Sequence, residues 1–126
     1  MTLEQMSRRN VMNDYLSESN IFKALSEPIR LQIIDLLSSG ELCACDILKN
    51  LSVSQSTLSH HMKALIDSEL LTAQKRATWM YYSINYENVA KLHRCVDDLT
   101  RPKEAGSSQI ARSACARCSD ITRKRG

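Results

Sequence analysis

Four of the five cysteines in this chain occur as two close pairs. Cys43 and Cys45 are separated by a single alanine, and Cys115 and Cys118 are separated by two residues near the end of the sequence. Thiolate sulfur is a soft donor, so such pairs favour thiophilic ions over magnesium or calcium. We therefore predict that these four cysteines bind a soft metal or metalloid ion.

The fifth cysteine has a different setting. Cys95 lies between Leu92 and Leu99 on the last predicted helix, at positions that share the apolar stripe of that helix. Free cysteine is among the residue types most often buried, and a buried thiol is chemically inert. We predict that Cys95 packs inside the protein and takes no part in ion binding.

The thiols should be reduced where this protein works. The first residues are polar and include Glu4, Arg8 and Arg9, so they lack the apolar core of a secretory signal. No apolar run approaches the roughly 20 residues that a membrane span needs. We expect a cytoplasmic protein with no membrane partner, in which paired cysteines are ligands or sensors rather than structural disulfides.

A predicted helix-turn-helix follows the first cysteine pair. A short helix with Leu42, Ile47, Leu48 and Leu51 at helical spacing leads into a turn at Ser52 and Val53, and a longer helix then opens. Ser54 suits the N-cap of the longer helix, because its hydroxyl can accept a hydrogen bond from an amide two or three residues on. Both cysteines of the pair therefore stand at the start of the first helix.

The outer face of the longer helix is polar, with one cation and no acid. Such a face suits base edges and phosphates in a DNA major groove, although any amphipathic surface helix also has a polar face. The context favours DNA binding, because two predicted strands, 71–75 and 79–84, follow as a wing with basic residues at its tip. The predicted contacts are Ser54, Gln55, Ser56, Thr57, Ser59, His60 and Lys63 on the helix and Lys75 and Arg76 on the wing.

The remaining elements complete a mainly α fold with a small β-hairpin wing. We predict helices over residues 3–16, 20–26, 28–38 and 87–99, the third of them apolar nearly all round and hence central. Residues 1–100 form one domain and carry 10 Lys and Arg against 12 Asp and Glu, whereas residues 101–126 carry 7 against 2. We predict that this basic tail, with Cys115 and Cys118, is flexible.

Residues from about Asn20 to Leu99 resemble the ArsR/SmtB family of metal- and metalloid-responsive repressors. The matching pieces are Phe22-Lys-Ala-Leu-Ser-Glu-Pro-Ile-Arg-Leu31, Glu41-Leu-Cys-Ala-Cys-Asp46, Ser54-Gln-Ser-Thr-Leu-Ser-His-His-Met-Lys-Ala-Leu65 and Trp79-Met-Tyr-Tyr82. The resemblance implies a winged helix-turn-helix that dimerises through its N-terminal and last helices. Such a dimer would present two recognition helices about 34–36 Å apart to a palindromic operator. In the family, a residue at the position of Arg30 often lies near the DNA backbone.

The resemblance also implies an inducer. Cys43 and Cys45 match the motif through which arsenic-sensing members bind trivalent arsenic or antimony, but the position of a frequent third cysteine is Leu48 here. A tail cysteine, Cys115 or Cys118, is the better candidate for a third ligand. Two residues apart on a regular helix means side chains ~200° apart. We therefore expect that binding must unwind the first turn and so change the fit to DNA.

The leading hypothesis is a dimeric, non-enzymatic repressor that leaves its operator when As(III) or Sb(III) binds the thiolates. One alternative keeps the repressor but changes the inducer to Cd(II) or Pb(II), held by all four paired cysteines. A second alternative is a repressor switched by thiol oxidation. A third, from another class, is a small thiol oxidoreductase or metal carrier that uses Cys115 and Cys118, but it leaves the helix-turn-helix unexplained.

Overall fold

Five helices and three strands follow one another along residues 3–104, the part of the chain that the structure, a computed structural model, describes; side chains are described from Met12 onward. The fold is mainly α with a small sheet, as predicted. The elements are α1 (Leu3–Leu25), α2 (Pro28–Leu37), β1 (Leu42–Cys43), α3 (Ala44–Lys49), α4 (Gln55–Asp67), β2 (Leu71–Arg76), β3 (Trp79–Ile84) and α5 (Tyr86–Thr100).

The first helix is longer than predicted. We expected separate helices over 3–16 and 20–26, but α1 runs unbroken from Leu3 to Leu25. The intervening residues are polar yet include neither glycine nor proline, and Ser19 Oγ donates back to Leu16 O at 2.8 Å. Such a bond keeps a serine within a helix. Buried Ile21 and Ala24 then anchor the C-terminal half against the core.

The second helix is central on one face only. Pro28 occupies its first turn, where a missing amide costs nothing, as predicted. Ile33 and Leu37 are fully buried, but Leu31 keeps 52% of its surface exposed. The prediction that this helix is central therefore holds for the face with Ile33 and Leu37, but not for the side that carries Leu31, which faces outward.

The helix-turn-helix and its wing lie where the sequence predicted them. The longer helix of the pair, α4, begins directly after the cap residue Ser54. Strands β2 and β3 pair in antiparallel register from Leu71 opposite Ile84 to Arg76 opposite Trp79. Tyr82 and Ile84 of β3 pack against the core, whereas Met80, nearer the tip, is exposed because the hairpin projects past the helical body there.

A third strand was not predicted. Leu42 and Cys43 form β1, which pairs antiparallel with Tyr82 and Tyr81 of β3, so the sheet order is β1-β3-β2. The short first helix of the helix-turn-helix, α3, is correspondingly reduced to Ala44–Lys49, and neither Leu42 nor Leu51 belongs to it. The segment before α3 is therefore part of the wing sheet.

Within residues 3–104, no helix is both long enough and apolar enough to cross a membrane. The hydrophobic core receives side chains from all five helices and from the base of the wing, with Leu65, Leu70 and Leu71 among those that are fully buried. This core fixes the outer face of α4 and the wing relative to each other.

Candidate thiol site and nucleic-acid interface

Cys43 lies at the junction between β1 and α3. Its backbone is extended, with φ −82° and ψ 163°, and it occupies the N-cap position of α3. Cys45 is two residues further on, in the first turn of the helix. The prediction that both thiols start out in regular helix was wrong, because the pairing of Cys43 with Tyr81 holds it in a strand. The ~200° separation of a regular helix therefore does not describe this pair.

The thiol pair is open to solvent on one side. Cys45 is exposed and Cys43 is partly buried, and both are free thiols. The Cys43 thiol donates to Asp46 Oδ2 across 3.2 Å, and Lys49 Nζ lies 4.0 Å from the other oxygen of the same carboxylate. An ion arriving from solvent would meet Cys45 first and would have to replace the hydrogen bond that Cys43 makes.

A complete metal site is absent from the part of the chain that the structure describes. Within it, no group of three or more His, Cys, Asp or Glu side chains is arranged to hold an ion. Cys115 and Cys118, the predicted further ligands, lie outside the described residues. Within the described residues, the predicted ion site therefore has no ligand beyond the thiols of Cys43 and Cys45.

Cys95 has the character of a packed, unreactive thiol. It is partly buried on α5. Burial raises the pKa of the Cys95 thiol, and the carboxylates of Glu18, Asp98 and Asp14 raise it further. Because the thiolate is the form that binds metals and attacks electrophiles, this environment disfavours both. The fully buried state predicted from the sequence is reached only in part.

The start and outer face of α4 present every helix side chain that was predicted to contact DNA. Leu58, Met62 and Leu65 point into the core. On the opposite side the helix has no acidic residue before Asp67 at its last position. The exposed side chains of the predicted set are Ser54, Gln55, Ser56, Thr57, Ser59, His60 and Lys63.

Two residues of that face also build the start of the helix. Ser54 Oγ accepts a hydrogen bond from the Thr57 amide at 3.2 Å and donates to Thr57 Oγ1 at 2.9 Å. This is the N-cap bond that the sequence predicted. With the hydroxyl of Ser54 so engaged, Gln55, Ser59 and His60 are the side chains most available to base edges.

At the wing tip, Lys75 and Arg76 are both exposed but differ in their surroundings. The Arg76 guanidinium donates to both carboxylate oxygens of Glu41, at 2.6 and 3.2 Å, and to Gln74 Oε1 at 3.1 Å. It also lies over the ring of Tyr81, 5.0 Å from the centroid. The structure thus brings this predicted DNA contact together with an acid that sequence reasoning did not connect to it.

Sequence reasoning also missed a hydrogen bond between Arg30 of α2 and His61 on the inner side of α4. Arg30 Nε donates to His61 Nδ1 at 3.0 Å, and Arg30 Nη1 donates to the carbonyl of Ala24 at 3.4 Å. Arg30 is therefore partly buried and joins the end of α1 to α4. His61 keeps only 8% of its surface. Its spacing, three residues after Leu58 and four before Leu65, is the signal that could have placed it on the buried face.

The His61 imidazole is neutral in this setting. Burial lowers its pKa, and the positive charges of Arg30 and His60 lower it further, with a smaller opposing effect from Glu27. The hydrogen bond from Arg30 requires an unprotonated Nδ1 as acceptor. The inner side of α4 is thus a structural contact, and only the outer side is free for a partner.

Comparison with known proteins places this arrangement among bacterial regulators. Residues 27–73 match the family described as "Bacterial regulatory protein, arsR family". The chain is 49% identical over 83 residues, 66% of its length and 80% of the relative's, to an arsenical resistance operon repressor of Staphylococcus xylosus. It is 37% identical over 75 residues, 59% of its length and 62% of the relative's, to a cadmium resistance transcriptional regulatory protein CadC homologue of Staphylococcus aureus.

A solved structure has the same fold. It is the solution structure of a homodimeric winged helix-turn-helix DNA-binding domain from Mycobacterium bovis, a possible ArsR-family transcriptional regulator. The two chains are 33% identical with a TM-score of 0.59, and the match covers 73% of this chain and 83% of that one. The winged helix-turn-helix predicted from the sequence is therefore confirmed.

Proposed function

Because the chain belongs to the arsR family of bacterial regulatory proteins, we propose that it is a transcriptional repressor released from its operator by trivalent arsenic or antimony. The observation that carries the proposal is a surface thiol pair at the start of α3, the helix that precedes α4, whose exposed face is polar and has no acid before Asp67 at its last position. Together these features suit a sensor coupled to a DNA-binding helix.

In this proposal α4 enters the major groove of double-stranded DNA. Gln55, Ser59 and His60 contact base edges, and Lys63 contacts phosphate. Free amides at the start of α4 suit a phosphate oxygen as well. Lys75 and Arg76 bring the wing to the adjacent backbone. The proposal rests on the shared orientation of these exposed side chains, because α4 and the wing are fixed to one core.

The repressor is proposed to be a homodimer. Large apolar side chains remain exposed on α1 and α5, which pack side by side: Met12, Tyr15, Leu16, Val96 and Leu99. The homodimeric solution structure of the Mycobacterium bovis relative supports a two-fold assembly of this fold. A two-fold protein presents two copies of α4 and calls for a palindromic operator.

We propose that residues 1–100 are the DNA-binding and dimerisation domain and that residues 101–126 supply further ligands. Cys43 and Cys45 would bind the ion with Cys115 or Cys118.

On binding arsenous acid, each thiol forms an As–S bond, one As–O bond breaks, and the hydroxide leaves with the thiol proton as water. Arsenic stays trivalent, so the step needs no oxidant. A repressor acts at its operator, which places the protein in the cytoplasm.

The coupling to DNA follows from what Cys43 holds before the ion arrives. An ion bound by the Cys43 thiolate replaces the proton that Cys43 donates to Asp46, and in this proposal the accompanying movement is passed to the two-residue strand that pairs with the wing. An ion displaces DNA only if it binds the free protein more tightly than the DNA-bound protein. A difference of about 1.4 kcal/mol between these two free energies of ion binding changes operator affinity tenfold. A difference a few times larger is enough to release the operator.

The test begins by selecting a duplex from a randomised pool with the wild-type protein. Cys43→Ser and Cys45→Ser should bind the selected duplex with wild-type affinity and no longer release it when arsenite is added. Cys95→Ser is the matched control and should respond like the wild type. Fluorescence anisotropy of a labelled duplex measures both properties. Full arsenite release from both variants would move the sensor away from this pair.

A second inducer class is favoured by the similarity to the cadmium resistance regulator and by the count of four paired cysteines. Cd(II) or Pb(II) would be coordinated by all four thiolates, whereas As(III) would be coordinated by three. X-ray absorption on wild type loaded with arsenite or Cd(II), and on a Cys115→Ser, Cys118→Ser double variant, counts the sulfur neighbours. Loss of sulfur in the double variant would assign the tail cysteines to the site.

A further inference from the structure

The guanidinium of Arg76, one of the two wing cations proposed to contact DNA, is bound to the carboxylate of Glu41. Arg76 donates through both terminal nitrogens to Glu41, in the paired geometry that guanidinium groups also adopt with phosphate. Gln74 Oε1 accepts a further hydrogen bond from the same guanidinium, which also stacks over the ring of Tyr81. All of these partners lie on or beside the wing sheet.

The pair is exposed enough to exchange partners. The Arg76 side chain keeps 51% of its surface and that of Glu41 keeps 31%. Ion pairs at such exposure are weak and are screened by salt. A DNA phosphate carries the same single negative charge as a carboxylate and also offers two oxygens, so it can replace Glu41 on the guanidinium. Glu41 would repel that phosphate as long as its carboxylate stayed in place.

We propose that Glu41 and a DNA phosphate compete for Arg76, so that Glu41 sets the affinity of the wing for DNA. This inference rests on the proposed DNA-binding function and adds a residue to it that none of the predicted contacts included. Glu41 is a positioning residue: it acts by withholding the Arg76 guanidinium rather than by contacting DNA itself.

The position of Glu41 makes this competition part of the sensor. Glu41 directly precedes β1, and Cys43 of that strand pairs with Tyr81, whose ring lies under Arg76. The carboxylate and the thiol are therefore only two residues apart, so a shift of the proposed ligand Cys43 would act next to the residue that competes for the wing cation.

The test is a double-variant cycle with Glu41→Gln, Arg76→Gln and both together. Glutamine has the length of glutamate, is shorter than arginine, and removes the charge at either position. We expect Glu41→Gln to tighten binding about threefold to tenfold at moderate salt, and this gain to disappear when Arg76 is also replaced. In the Glu41→Gln background, Arg76→Gln should lower the slope of log K against log salt by about one unit, as expected for one phosphate contact.

Binding is measured on the selected operator and on a mixed-sequence duplex at low salt, because competition for phosphate does not depend on sequence. An equal gain from Glu41→Gln with and without Arg76 would reduce Glu41 to a general repulsive charge and overturn the proposal. Weaker binding by Glu41→Gln would overturn it too, because it would mean that Glu41 presents Arg76 to DNA. Absence of any duplex binding by wild type would instead reject the proposed function.

Discussion

The hydrogen bond from Arg30 to His61 links α4 to the rest of the protein and depends on one imidazole nitrogen, Nδ1. The bond depends on charge state, because a protonated Nδ1 is a donor and cannot accept from Arg30. The folded protein keeps the pKa of His61 below its ordinary value. The unfolded chain therefore takes up the proton at a higher pH than the folded chain does, and folding loses stability as pH falls below about 6.5.

This linkage predicts a pH dependence that one substitution removes. His61→Asn keeps an acceptor close to the position of Nδ1 and cannot be protonated. As pH is lowered from about 7.5 to about 5.5, the free energy of unfolding of the wild type should fall more than that of His61→Asn. Urea unfolding followed by circular dichroism, at equal protein concentrations, measures the difference. Parallel pH profiles would show that His61 does not titrate between the two states.

Among the elements, α4 is followed, two residues after its end, by a residue in an unfavourable conformation. Glu69 has φ 63°, in the left-handed region that glycine adopts without strain. Its amide donates to Ile66 O at 2.9 Å, and the amide of Leu70 donates to Leu65 O at 3.2 Å. These are the two bonds of a Schellman motif, which usually places glycine at this position. The Asn88 side chain also donates to the carbonyl of Glu69, at 2.8 Å.

Relief of this strain should stabilise the protein. We expect Glu69→Gly to raise the free energy of unfolding by about 0.5–1 kcal/mol, the gain at the left-handed residue being partly offset by the greater freedom of glycine in the unfolded chain. Ser68→Gly is the matched control one residue earlier, at φ −80°, and should destabilise. Thermal unfolding of the three proteins compares them. A destabilised Glu69→Gly would mean that its side chain contributes more than the backbone strain costs.

The elements that the sequence predicted are those with local causes. The start of α4 follows from the Ser54 hydroxyl, and the wing follows from alternation along 79–84, so both were located without knowledge of the fold. Strand β1 has only two residues and exists because β3 pairs with it, and the pairing of Glu41 with Arg76 joins residues 35 positions apart. Contacts of that range leave no periodic trace in the sequence, which is why Cys43 was assigned to a helix.

The whole molecule exposes apolar side chains where two of its helices meet. Leu99 on α5 keeps 49% of its surface, Val96 on the same helix is exposed, and so are Met12 and Leu16 on α1, the helix that packs against α5. Burial of such side chains against a second copy would remove apolar surface from water, at about 25 cal/mol for each Å². This is the physical basis of the proposed dimer.

A charge at this surface should separate the subunits. Leu99→Glu is expected to shift the protein from dimer to monomer and to weaken operator binding at least tenfold, because one subunit contacts only half of a palindrome. Leu31→Glu, which alters an equally exposed leucine on α2, is the control and should leave the assembly intact. Sedimentation velocity reports the assembly and circular dichroism reports the fold. A dimeric Leu99→Glu with normal binding would place the interface elsewhere.

The thiol pair at the surface has a consequence for how such regulators diversify. Cys45 is exposed and Cys43 is half covered, whereas Ile47, two residues on, is fully buried. Replacing an exposed side chain usually changes stability little, whereas truncating a buried one is costly. Side chains at the proposed ligand positions can therefore be exchanged at little cost in stability, while the buried residues that hold α3 in place stay unchanged.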